Sequence, residues 1–237
     1  MIINEALLSL SSFRKCGEEN TIEYGVFPQS NARLTKEKID KLVPVEGTPY
    51  FTNGEKFFYH LEEKDRWFIV EPLRWKAVRK DGEYFLFTTE KLVDARLYEK
   101  GDEKPLSHDD HNVKTYLNKE FFPKAFLDGG KLLMESPDFH TKICFLTTNQ
   151  VRIDKGSLLF HNVDDLLCNL TDFARVKGGK DVGNEKDGYY IVNSQDYIFH
   201  IVLGTFIIYY EKDPYNPHSG YSGNYAIRPT IWLKLDE

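Results

Sequence analysis

Short runs of alternating apolar and polar residues dominate this chain, and helical spacing interrupts them only in places. The run Thr21-Ile22-Glu23-Tyr24-Gly25-Val26-Phe27-Pro28-Gln29 alternates and then meets a proline, which predicts a strand giving way to a turn. Thr35 to Val43 has Thr35 as a capping residue, Glu37 near the first turn, and Ile39, Leu42 and Val43 on one face, so a short helix is expected. Pro49 to Phe51 and Lys56 to Leu61 flank Thr52-Asn53-Gly54, a hairpin signal of the Asn-Gly type. Two further extended runs, Trp67 to Val70 and Leu73 to Val78, precede a turn at Asp81-Gly82 and a strand from Tyr84 to Thr88. Strands that arrive in hairpins, without crossover helices between them, predict a mainly antiparallel sheet.

The middle third mixes periods. Asn112 to Phe122 sets Val113, Tyr116, Leu117 and Phe121 at helical spacing, and Pro123 is expected to close that helix. Ile143 to Leu146 reads as a short buried strand. Val163 to Leu170 reads as helical, with Phe173 to Val176 as its continuation, and Gly178, Gly179 and Gly183 among Lys and Asp mark a loop. β structure returns at Tyr189 to Val192, Tyr197 to Leu203, Phe206 to Tyr210 and in a last strand that opens at Arg228-Pro229. That last strand is expected in the same sheet as the one near Tyr24. No linker-like shift in composition and no repeat divides residues 1–237, so one α+β domain is expected, with 1–20 as a helical or extended lead-in.

Composition narrows the function classes. Hydrophobic residues make up 41%, with 17 Phe and 14 Tyr, enough for a packed and strand-rich core. The net charge of −6 comes from Lys and Arg scattered among Asp and Glu, which leaves no basic stripe, so nucleic acid is not an expected partner. No apolar stretch approaches the ~20 residues of a membrane helix. Residues 1–13 lack a basic n-region and carry Glu5, unlike a signal peptide, so cytoplasmic residence without a membrane partner is the expectation. Cys16, Cys144 and Cys168 are odd in number and far apart, with no CxxC pair. They read as reduced, buried small hydrophobes and not as a metal or disulfide framework.

Six segments occur in order: Tyr24-Gly25-Val26-Phe27-Pro28-Gln29, Asn53-Gly54-Glu55-Lys56-Phe57, Val70-Glu71-Pro72-Leu73-Arg74-Trp75, Asp94-Ala95-Arg96-Leu97-Tyr98, Tyr116-Leu117-Asn118-Lys119-Glu120-Phe121 and Ile227-Arg228-Pro229-Thr230-Ile231-Trp232-Leu233. Together they resemble a bacterial family of uncharacterised domains. Members of that family are similar to the C-type-lectin-like fold, in the branch shared with formylglycine-generating enzymes and retroelement-diversified receptor proteins. The resemblance runs from about Thr21 onward and implies an α+β fold of mainly antiparallel twisted sheets, a few short helices and long loops. It implies no particular activity. In such folds the loops before the last strand build the ligand face. The formylglycine-generating relatives use a copper-binding cysteine pair near the C-terminus, whereas no cysteine follows Cys168 here, so that chemistry is not expected. Where the family has a Trp-rich strand ending in a Leu-Arg-Ser-Pro-Gly turn, this chain has Tyr189-Tyr190-Ile191-Val192-Asn193-Ser194-Gln195, without the positive charge or the proline.

Candidate contacts follow from that resemblance and from composition. Residues 213–225 join Tyr215, Tyr221 and Tyr225 to Asn216, His218, Ser219, Ser222 and Asn224. Tyr offers broad contact area for few rotamers, while Ser, Gly and Asn adapt their hydrogen bonds. Tyr189, Asn193 and Gln195 join them as candidate ligand contacts. The competing reading is that the prolines and glycines merely order a connection. His108, Asp110 and His111 could ligate a metal, but Asp109 or Asp110 capping a helix near Asn112 is favoured. No cofactor is expected, and no calcium, because carboxylates of lectin type are not clustered.

No GxSxG, HExxH or P-loop occurs. Tyr209, Tyr210, Glu211 and His218 could converge, although such polar-aromatic groups near a loop are commoner than active sites. Arg228 is expected in a structural role, forked onto a carboxylate such as Glu71 or Asp94, with Asp94 capping or pairing nearby. Trp75 and Trp232 are expected in the core. The leading expectation is a non-enzymatic, lectin-like binding module for a protein or glycan ligand. The alternatives are an enzyme of unknown reaction with a polar pocket near the final loops, and a structural component of a phage or mobile element.

Overall fold

The computed structural model describes residues 5–97, 115–137, 140–146, 150, 157–161, 168–179, 190–193, 198–202, 205–208 and 224–235, and all that follows concerns these. Fifteen strands carry the fold: β1 (Arg14–Lys15), β2 (Thr21–Asn31), β3 (Val43–Pro44), β4 (Tyr50–Thr52), β5 (Phe57–Leu61), β6 (Arg66–Asp81), β7 (Tyr84–Thr89), β8 (Asp94–Leu97), β9 (Leu133–Met134), β10 (Ile143–Cys144), β11 (Tyr190–Asn193), β12 (Ile198–Val202), β13 (Thr205–Ile208), β14 (Asn224–Ile227) and β15 (Thr230–Lys234). The larger sheet runs β10-β15-β7-β6-β5-β4-β3, with β2 on the other edge of β6, β1 on β2 and β9 on β15. The smaller runs β13-β12-β11-β14-β8. Every strand pair is antiparallel except β11 with β14. Helices are short, the longest purely α-helical one being Glu5–Ser11. The fold is α+β, mainly antiparallel, and the strand containing Tyr24 shares the larger sheet with β15.

β6 is the spine, and it corrects the expectation of two separate runs. It passes without a break through Pro72, because β2 bulges opposite it: Glu23 faces Arg74 while Val26 already faces Pro72, so β2 carries one extra residue there. A bulge leaves ladder groups unpaired and is one of the few places where a sheet tolerates proline. A second shift between Pro28 and Ser30 sets Gln29 out of register. For this reason Pro28 does not end its strand, and β2 continues to Asn31.

Other local readings are refined in the same way. The Asn-Gly signal does join β4 to β5, but through residues 53–56, with Asn53 Oδ1 accepting from the amides of Glu55 (3.1 Å) and Lys56 (2.9 Å). The helix expected from Thr35 to Val43 is only Lys36–Ile39. Thr35 sits at its N-cap without a side-chain bond, and Val43 is 60% exposed in β3. Pro123 does not close its helix. A π-turn over Leu117–Phe121, in which Phe122 N–H donates to Leu117 O, widens the helix just before the proline, and Phe122–Ala125 continues it. Widening relieves the clash of the ring with the preceding turn. The helix expected over Val163 to Leu170 is not helical in its described part, since Leu170 bridges Leu92, and a separate helix Asp172–Val176 starts at Thr171, whose Oγ1 accepts from Ala174 N at 3.1 Å.

Aromatic packing joins the layers. Phe173 from that last helix meets Phe27, Tyr59 and Phe68 edge-on with centroids 5.0–5.7 Å apart. Trp75 is fully buried and donates its indole N–H to Tyr24 O at 2.8 Å. Trp232 is also core, packed with Val78, Leu86 and Phe160. Each of the three cysteines is a thiol and not half of a disulfide; Cys144 and Cys168 are buried and Cys16 partly so. Burial pushes the Cys168 thiol pKa up, which holds it in the unreactive protonated form. Titration of the native protein with a thiol reagent should therefore find one fast group, Cys16, and denaturation without reductant should reveal all three. A denatured count of one would mean that two have joined in a disulfide.

Candidate functional site

Most of the sequence candidates lie outside the described residues: Tyr189, Gln195, Tyr215, Asn216, His218 and Tyr221, and the metal candidates His108, Asp110 and His111. The backbone places three more. Asn193 faces Ile198 in the β11–β12 hairpin, and Asn224 and Tyr225 face Leu97 and Arg96 of β8. β14 therefore has β8 on one side and β11 on the other, where Tyr190 pairs with Ala226. Two of the candidate segments, that around Asn193 and that around Tyr225, are thus adjacent strands of one sheet.

Directly after β14 the chain is locked to the larger sheet. Arg228 is 3% exposed; its Nε donates to Thr89 O at 3.1 Å and its guanidinium lies 5.6 Å over the Phe160 ring. Pro229 O accepts from Thr89 N (3.1 Å) and Thr88 Oγ1 (3.2 Å). Asp94, one strand away, accepts from the Tyr116 hydroxyl and from Ala95 N. Burial of an arginine is tolerated where carbonyls and an aromatic face replace its water. These bonds give Arg228 and Asp94 structural roles at the junction between the sheets.

A cleft of about 230 Å³ opens elsewhere, on β2 and β6 beside the two bulges, lined by residues that include Glu23, Gln29, Glu71, Arg74, Glu90 and Lys91. The motifs around Gly25 and around Pro72 meet here. Gln29, out of ladder register, turns its amide onto the carbonyls of Glu71 (3.2 Å) and Pro72 (2.8 Å). Glu71 Oε2 accepts from Ser30 N (3.0 Å) and Ser30 Oγ (2.7 Å). Arg74 bridges Glu18 (3.0 Å) and Glu90 (3.4 Å), Lys76 reaches Glu90 (3.3 Å), and Arg14 pairs with Glu23 (2.9 Å). The hydrogen bond from Arg74 to Glu18, with smaller attraction from Glu90, raises the guanidinium pKa further. Among the described residues, no group of three or more His, Cys, Asp or Glu is placed to hold a metal, and no helix is long and apolar enough to cross a membrane.

Sequence reasoning missed this cleft because its charged residues come from two strands, β2 and β6, and from the connection after β7, with no characteristic spacing. One signal was available: Gln29 is a polar residue at the end of a nearly continuous apolar run. Comparison of the chain with protein-family models, with curated proteins and with solved structures returned no match.

Proposed function

We infer that this protein is a non-enzymatic binding module whose recognition segment is 213–225, with a protein or glycan ligand, on a C-type-lectin-like variant of the α+β fold. The observation that carries this reading is the position of β14: the tyrosine- and asparagine-rich segment runs straight into an interior strand, held by β8 and β11. A rigid base with an adaptable, aromatic composition above it is the arrangement used by loop-based recognition surfaces. The lock at Arg228 and Pro229 fixes that base from the far side. The remaining candidate contacts, Tyr189, Asn193 and Gln195, belong to β11 or stand next to it in sequence, and β11 pairs with β14.

The double variant Tyr215→Ala/Tyr221→Ala tests this. Exposed rings should leave the melting temperature nearly unchanged, since surface substitutions usually cost within ~0.5 kcal/mol. Retention on a glycan array or on a captured protein partner should fall at least about tenfold, because aromatic anchors dominate binding energy. A loss of several degrees in the melt would place the rings in the core and remove the reading.

A further inference from the structure

We propose that Asn53 is a spontaneous modification site, an asparagine that converts to isoaspartate, and that the closed β4–β5 hairpin holds the reaction off through Thr52. The chemistry needs only the chain and water. The Gly54 amide nitrogen, once its proton has gone to hydroxide, attacks Asn53 Cγ. The N–Cγ bond forms, the Cγ–Nδ2 bond breaks, and Nδ2 leaves as ammonia with a proton from water. Water then opens the resulting succinimide at either carbonyl, giving aspartate or isoaspartate. Glycine after asparagine favours this step because no Cβ crowds the attacking nitrogen. Gly54 has φ +91 and nothing within 4 Å of its would-be Cβ, so no other part of the fold shields it on that side.

Both reacting groups are held in the folded chain. Asn53 Oδ1 accepts from Glu55 N (3.1 Å) and Lys56 N (2.9 Å), an Asx-turn that fixes the side-chain amide over the loop. The Gly54 N–H, whose ionisation begins the reaction, donates to Thr52 Oγ1 at 3.0 Å. Thr52 Oγ1 in turn donates to Lys56 O at 2.9 Å, so one hydroxyl ties the nucleophile to the far side of the loop. The pairing of Thr52 with Phe57 closes the hairpin next to these bonds. Ring closure forces Cγ and the Gly54 nitrogen out of these positions, so the rate follows the population of the locally opened loop. The two products then diverge. Aspartate keeps an oxygen for the Glu55 and Lys56 amides. Isoaspartate puts an extra carbon into the main chain and takes the Asx-turn apart, so the modified hairpin no longer closes in the same way.

The test follows isoaspartate at Asn53, by peptide mass spectrometry and isoaspartyl methyltransferase labelling, in the intact chain at mildly alkaline pH beside a synthetic peptide of residues 49–58. The folded chain should react at least about tenfold more slowly than the peptide, and the same chain in urea should match the peptide, since neither keeps the hairpin. Thr52→Val keeps the branched shape of threonine but removes both hydroxyl bonds. It should speed the reaction in the folded chain about fivefold or more, and have little effect in the peptide. Thr52→Ser keeps the hydroxyl and should stay within about twofold of the unaltered chain. Should Thr52→Val not fold, the comparison of folded chain, urea and peptide still decides. A folded chain that reacts as fast as the peptide overturns the proposal, and would mean that the Glu55 and Lys56 amides assist by stabilising the oxyanion. So does a folded Thr52→Val chain that reacts at the unaltered rate, or Thr52→Ser that reacts as fast as Thr52→Val.

Discussion

A chain ended after Tyr225 should yield no soluble folded protein. The deletion removes half of β14 and all of β15, and β15 is interior to the larger sheet. It pairs with β7 from Thr230–Thr88 to Lys234–Tyr84 on one edge, and with β9 and β10 on the other. Ala226, Ile227, Ile231, Trp232 and Leu233 are each no more than 6% exposed. The large ones among them contribute about 1.5–3 kcal/mol apiece, which together approaches the whole stability of a typical domain, roughly 5–15 kcal/mol. Loss of the strand also bares the edges of β7 and β10, which invites aggregation. Soluble yield and a circular-dichroism melt check the outcome. Trp232→Ala makes a useful partner experiment, since it removes one side chain and no backbone. It should cost about 3–5 kcal/mol and still show a cooperative melt. A truncated chain that stays soluble and melts cooperatively would mean that β15 is not part of the folding core.

Much of this framework was legible in the residues, and the failures have a common cause. Alternation located β2, β5, β7 and β15, and the Asn53-Gly54 pair located the hairpin, because these signals are local. Pro28 and Pro72 were read as breaks because a proline's tolerance depends on what lies across from it. Here each proline sits near a bulge of the partner register, which no single strand reveals. Pro123 was read as a stop for the same reason: the π-turn that accommodates it is a compromise between neighbouring residues and the packing of Leu117 and Phe121, both buried. Val43 was assigned to an apolar helix face, yet it occupies the exposed edge strand β3, where Pro44 next to it discourages further pairing. The cleft was illegible as a site because Glu23, Arg74 and Glu90 are brought together only by strand pairing. Their individual reading as ordinary surface charge was reasonable, and most of each one's charge is indeed spent on its neighbours.

The bulge itself supplies the second large prediction. Gly25 has φ +76, and a Cβ there would lie 2.8 Å from Ala125 O and 3.1 Å from a ring carbon of Phe126. Neither neighbour can yield. The carbonyl belongs to the end of the helix Phe122–Ala125, and Phe126 is 2% exposed, packed on Tyr24 (5.0 Å) and Trp75 (6.1 Å). A left-handed alanine costs about 1–3 kcal/mol, and forcing an extra carbon into a close-packed core costs about the same again. Gly25→Ala should therefore lose about 3–5 kcal/mol, roughly 10 °C in melting temperature for a chain of this size. Gly54→Ala separates the two contributions. Gly54 also has positive φ, at +91, but nothing lies within 4 Å of its would-be Cβ. That variant bears only the backbone cost, about 1 kcal/mol. Equal melts for the two would mean that the close approach of β2 to the helix end is not maintained in solution. A clearly larger drop for Gly25→Ala places a close backbone contact with the helix end at the bulge where the two strands of the cleft diverge.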